Sequence, residues 1–102
     1  MVIWTPSARA DLKAIHDYIA KDAPLNAKAI AGDIVRKADT LAGLPYLGKA
    51  IPEVNEDSLR EISAHSWRIL YHLRQNNIFI LAVVHKRRQL SADDVNQRLS
   101  GE

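Results

Sequence analysis

The sequence predicts an α+β fold, a helical hairpin packed on a small, mostly antiparallel sheet in the order β-α-α-β-β-β-α. Three patterns carry that expectation. Apolar residues recur with a helical period from Ala8 to Leu41, the period switches to two after Leu59, and Ile78–Val84 is apolar at every position. A run of that last kind suits a central strand covered on both faces.

Each element follows from local signals. Val2-Ile3-Trp4 is a short apolar strand ended by Thr5-Pro6. Thr5 as N-cap and Pro6 at the first helical position then open a helix, with Ala8, Leu12, Ile15 and Ile19 on one face. Asp22-Ala23-Pro24 ends that helix and starts another, whose stripe is Ala27, Ile30, Ile34, Ala38 and Leu41, closing near Gly43 and Pro45. So short a link predicts an antiparallel hairpin. Tyr46–Asp57 holds Gly, Pro and several turn formers and is expected to be a long exposed loop. Leu59–Ala64 and Trp67–Arg74 alternate as strands, and Gln75-Asn76-Asn77 is a turn into the apolar strand. Ser91 and Asp94 form a capping-box-like start to a C-terminal helix through Val95 and Leu99. The first strand is expected beside the last, with the helices on one sheet face and the other face left for a partner.

At 102 residues, residues 1–102 are expected to form a single domain, and a hydrophobic fraction of 47% supplies a core. No apolar run approaches the roughly 18 residues of a membrane span. The opening residues carry no secretory signal, so a cytoplasmic protein without membrane association is expected. Zero cysteines exclude a disulfide framework and thiolate chemistry. His65, His72 and His85 share no short ligand spacing, so neither a metal site nor another cofactor is expected. No Gly-rich phosphate loop or GxSxG elbow occurs. The net charge of +2 argues for nothing, but its distribution does. Between Ser58 and Leu90 six cations (Arg60, Arg68, Arg74, Lys86, Arg87, Arg88) face one acid, Glu61, with acidic segments on either side. That suits an anionic partner, and equally a solvated sheet face.

The candidate chemistry converges on Val83–Leu90, VVHKRRQL, where the apolar strand runs into four polar residues. His85 there is either a general base positioned by the strand or a cap on the sheet edge. Arg87 and Arg88 are either a phosphate-binding fork or strand-end solubility. Arg68 stands in opposite parity to Trp67 and Ile69. It either lines a sheet face with the His85 cluster or pairs with Glu61 across the strands. Glu53 joins His85 as an acid/base pair if its loop folds back over the sheet. Arg60, Lys86 and Arg88 are the candidate binding cations. Trp4, Trp67 and Tyr71 read as core, and His16 as surface.

An ordered set of residues also resembles the RelE/ParE superfamily of bacterial type II toxins. It comprises Trp4-Thr5-x-x-Ala8, Ala10-Asp11-Leu12-x-x-Ile15-x-x-Tyr18-Ile19, Leu44-Pro45-x-x-Gly48, Ile51-Pro52-Glu53, Arg60-Glu61, Arg68-Ile69-x-Tyr71 and Ile78-x-Ile80-Leu81-x-Val83-x-His85-x-x-Arg88. No one motif is specific; their order along the chain is. The resemblance implies a growth-inhibiting toxin held by a cognate antitoxin, as a toxin–antitoxin hetero-oligomer or a homodimer. One branch of the superfamily cuts mRNA on the ribosome, the other poisons DNA gyrase. Arg68 and Arg87 fall where the RNA-cutting branch places arginines, and Glu53, Arg68 and His85 mimic another RNA-cutting subgroup. Yet that branch's lysines fall on Leu59 and Glu61 and its late tyrosine on Asp93. The ending His85-x-x-Arg88 before a C-terminal helix looks more like the gyrase-poisoning branch. The expectation is a gyrase poison, with a ribosome-dependent mRNA endonuclease using Arg68, Arg87, His85 and Glu53 as the alternative.

Overall fold

A computed structural model describes residues 1–102. In chain order the elements are β1 (Val2–Trp4), α1 (Pro6–Ala20), α2 (Pro24–Asp39) with a 3-10 turn at Thr40–Ala42, β2 (Lys49–Ala50), β3 (Leu59–Ala64), β4 (Trp67–Arg74), β5 (Asn77–His85) and α3 (Ala92–Ser100). The sheet order is β1-β5-β4-β3-β2, with β1 parallel to β5 and every other pair antiparallel. The predicted α+β class and the pairing of the first strand with the last are both observed.

Thr5 does two jobs. Its Oγ1 accepts from the Ala8 N–H at 3.2 Å, capping α1, and donates to the Ile80 carbonyl at 2.8 Å, fixing the helix start against β5. The α1–α2 hairpin then buries Ala8, Ile15, Ile34, Ala38 and Leu41 against Ile62, Ile69, Tyr71, Ile80 and Val83 of the sheet. Each of the isoleucine, leucine and valine side chains among them contributes about 1.5–3 kcal/mol through removal from water.

The opposite face is also covered. Ile51, Leu59, Leu70, Leu81, Ala82, Val84 and Val95 form a second core, with Val54, Leu90 and Leu99 packed against it. The expectation that this face stands open is therefore corrected: α3 and the chain around Ile51 close much of it. The reason lies in β5, whose unbroken apolar run has a second face to bury. Tyr46–Asp57 is corrected likewise. Its Lys49-Ala50 pairs with Glu61 and Arg60 as an edge strand, and Ile51 is fully buried.

Gly48 explains why that loop sits where it does. A Cβ there would lie 2.2 Å from the Glu61 carbonyl oxygen and 2.8 Å from the Tyr71 hydroxyl. The Tyr71 hydroxyl accepts from the Gly48 N–H at 3.1 Å and donates to the Pro45 carbonyl at 2.8 Å. Burial pushes the Tyr71 phenol up from its ordinary range. The Leu44-Pro45-x-x-Gly48 run thus pins the loop to β4.

One irregularity decides which side chains share a face. Gln75 and Asn76, at φ 52° and 63°, make a two-residue turn that pairs Arg74 with Asn77 and Tyr71 with Ile80. Between Tyr71 and Leu70 the register slips, and Leu70 pairs with Ala82, Arg68 with Val84 and Trp67 with His85. Leu81 is the extra residue of this β-bulge, so Leu81 and Ala82 both enter the second core.

Beyond the bulge β1 has ended, leaving one edge of β5 without a strand. Asp11 of α1 and Arg98 of α3 fill it. The Asp11 carboxylate accepts from the Val83 N–H at 2.9 Å and from Arg98 at 2.7 and 2.9 Å, while Arg98 also donates to the Leu81 carbonyl at 3.1 Å. The Ser91–Asp94 capping box is present in full.

Candidate functional site

Arg68 on β4 points to the second face and is enclosed by carboxylates. Its Nε and Nη2 donate to Glu61 at 2.9 and 2.7 Å, and its Nη1 and Nη2 donate to Glu53 at 3.0 and 2.8 Å. Four of the five donors of the guanidinium are thereby spent. Arg68 and Glu61 are both buried, and Glu53 arrives from the returning loop. Its hydrogen bonds to Arg68 hold the Glu53 carboxyl below the usual carboxylate range. The same pairs, Glu53 first, hold the guanidinium charged even more firmly than usual.

His85 lies elsewhere. The bulge turns it to the Trp67 side of the sheet, where its ring meets Trp67 edge-on at 5.1 Å and 83°. Its Nδ1 accepts from the Arg87 N–H at 3.0 Å, which ties the ring to the turn beyond the strand. The expectations that Arg68 shares a face with His85 and that Glu53 pairs with His85 are thus both corrected. Without the extra residue at Leu81, the register set by the Gln75–Asn76 turn would place His85 on the Arg68 face.

The cations after β5 form a tight turn. The Lys86 N–H donates to the Ser66 carbonyl at 2.8 Å and the Arg88 N–H to the His85 carbonyl at 3.0 Å. Lys86, Arg87 and Arg88 are exposed, and none of their side chains forms an ion pair. Lys86 reaches the mouth of a concavity of about 300 Å³ whose other charged walls are Lys49, Glu53, Glu61 and Arg68. Arg60, expected as a binding cation, is instead a clasp. It donates to the Gly48 carbonyl at 3.0 and 2.6 Å and to Asp57 at 2.9 Å, with its guanidinium over the Tyr46 ring.

Of the seven sequence candidates, then, Glu53 and Arg68 meet, Lys86 borders them, Arg87 and Arg88 face solvent, and His85 and Arg60 lie apart. Sequence reasoning missed Asp11 with Arg98. An acid on the helix and a cation in the C-terminal segment carry no local signal of a shared partner. No group of three or more histidine or carboxylate side chains converges closely enough to hold a metal ion.

Residues 2–90 match the family described as the ParE toxin of the type II toxin–antitoxin system parDE. The chain is 34% identical over 88 residues to Toxin RelE2 of Caulobacter vibrioides, covering 85% of this chain and 96% of that relative. Its fold matches a chain of the solved chromosomal ParDE TA system from P. aeruginosa with a TM-score of 0.71, at 24% identity, over 82% of this chain and 92% of that one.

Proposed function

The chain belongs to the ParE toxin family and is the toxin of a type II toxin–antitoxin system, a premise from which we propose that it inhibits growth by poisoning DNA gyrase through a binding surface. Its partner is a cognate antitoxin, which would hold it in a toxin–antitoxin hetero-oligomer in the cytoplasm. No helix is long and apolar enough to cross a membrane.

Arg68 carries the choice between targets. Cutting RNA needs a cation free to take a phosphate and an acid/base group within hydrogen-bond reach of the same atoms. Here the buried cation is held by two carboxylates, which repel a phosphate, and the imidazole is on the other face. What remains accessible is the turn Lys86-Arg87-Arg88 on the end of a rigid buried strand, a surface suited to an enzyme working on DNA. The match to the ParE family supports the same reading. The exposed Arg87 is the one observation favouring the mRNA endonuclease reading, since it stands where that branch places an arginine.

The test is DNA supercoiling by purified gyrase with the purified toxin added. Inhibition with accumulation of linear, cleaved DNA is expected. Unimpeded supercoiling at micromolar toxin would overturn the proposal in favour of mRNA cleavage.

A further inference from the structure

Four of the six exposed large apolar side chains, Met1, Leu44, Tyr46 and Leu47, belong to the first residue and to the loop after the 3-10 turn. Between that loop and the β4–β5 turn lies a cavity of about 360 Å³, within the range of about 300–1,000 Å³ common for ligand pockets. Half of its lining is hydrophobic, with Met1, Ala42, Tyr46, Leu73 and Ile78 beside Pro45, and the other half is the polar turn Arg74–Asn77. Its rim is the turn itself, where Gln75 and Asn76 hold left-handed backbone. The lining contains one cationic side chain, Arg74, and no carboxylate. Arg74 is exposed, lies over the Phe79 ring and makes no ion pair. A second guanidinium, that of Arg60, lies over the Tyr46 ring at 5.0 Å from its centroid.

We propose that this pocket is a docking site for the cognate antitoxin, receiving one large apolar side chain whose neighbouring carboxylate meets Arg74. The proposal rests on the toxin–antitoxin assignment and is independent of the gyrase reading. Charge complementarity selects an acid-flanked anchor, because a cationic rim with no carboxylate repels a basic one. The exposed apolar side chains of Met1, Leu44, Tyr46 and Leu47 around the cavity select a lasting partner over a transient target. Durable interfaces are the more apolar class, and an uncovered patch of this kind invites aggregation.

Two exposed substitutions probe it without entering the core. Ala42→Trp fills the cavity, and Arg74→Glu reverses the rim charge. Thermal unfolding of each variant should match the wild type, and each should bind purified cognate antitoxin about tenfold more weakly or worse. Growth inhibition in the absence of antitoxin should be unchanged. In the wild-type complex, the amides of Leu73–Ile78 should gain protection from hydrogen exchange when antitoxin is bound. Wild-type affinity in both variants, or unchanged exchange at Leu73–Ile78, would overturn the proposal. So would lost toxicity with antitoxin affinity intact, which would assign the pocket to the target. A wild-type protein that leaves growth unaffected but binds antitoxin through this pocket would instead count against the toxin assignment alone.

Discussion

Arg68 shows how the same residue types admit two readings until geometry decides. Its parity against Trp67 and its pairing with Glu61 are both legible in the sequence, because two adjacent strands of known phase bring them together. Glu53 is not legible, since its position depends on a loop pinned by Gly48 and Tyr71 through non-local contacts. The outcome is a buried cation between two carboxylates, an arrangement whose halves depend on each other. Arg68→Ala should cost on the order of 3–5 kcal/mol in urea unfolding, because it strands two acids beside the core. A loss of toxicity in that variant would therefore report the fold, and only a stably folded, inactive Arg68→Ala would revive a catalytic role. Glu53 adds a pH signature. Its folded carboxyl is depressed by Arg68, so its stabilisation is present above the unfolded value near pH 4.3 and is lost as pH falls through the folded value. Glu53→Gln should lower the melting temperature at pH 6 but narrow the gap to wild type as pH drops below about 4. A constant gap down to pH 2.5 would remove the linkage.

The helices and long strands were legible because their apolar periods are sustained, and both helix starts with side-chain caps were readable from Thr5-Pro6 and Ser91-x-x-Asp94. The two-residue β2 was not, because so short an edge strand has no period to read. Nor was the bulge at Leu81, which looks like any other residue of an apolar run and yet moves His85 to the opposite face. That bulge also leaves the backbone of Leu81 and Val83 facing a gap that only Asp11 and Arg98 fill. The pair consequently holds α1, β5 and α3 together, and its hydrogen bonds hold the Arg98 guanidinium above even its ordinary range. Asp11→Ala should cost about 2–3 kcal/mol, since it removes charged acceptors from both a guanidinium and a backbone N–H. Hydrogen exchange should locate the effect, with protection lost at Val83 and through α3 before the α1–α2 hairpin opens. Arg98→Ala should reproduce most of it, and the double variant should add little to either. Full additivity would mean that the two side chains act separately and that α3 is held by Val95 and its neighbours alone. Deleting Ser91–Glu102 is for the same reason a poor probe of function, because it uncovers the second core.

The six cations between Arg60 and Arg88 look in the sequence like one basic segment, but folding scatters them. Arg60 and Arg68 are spent on the chain itself, Arg74 stands at the pocket proposed for the antitoxin, and Lys86, Arg87 and Arg88 remain together at the far end of β5. The nine residues of β5 separate those ends by about 26 Å at roughly 3.3 Å per residue, in a molecule whose longest extent is 38 Å. Two partners can then be served by two ends of one rigid strand, and substitutions at each end should act independently. The double reversal Arg87→Glu with Arg88→Glu sits on exposed turn residues and should change stability by no more than about 0.5 kcal/mol. It should raise the toxin concentration needed to inhibit gyrase by about tenfold or more, since it inverts the field that steers the basic turn to an anionic target. The wild-type requirement should itself rise between 50 and 200 mM salt while that of the variant changes less, because screening has less attraction left to remove. Antitoxin affinity should stay at the wild-type level, as the pocket lies at the other end of the strand. A variant that inhibits gyrase as well as wild type would leave the basic turn as solvated surface, and one that lost antitoxin at the same time would join the two surfaces into one.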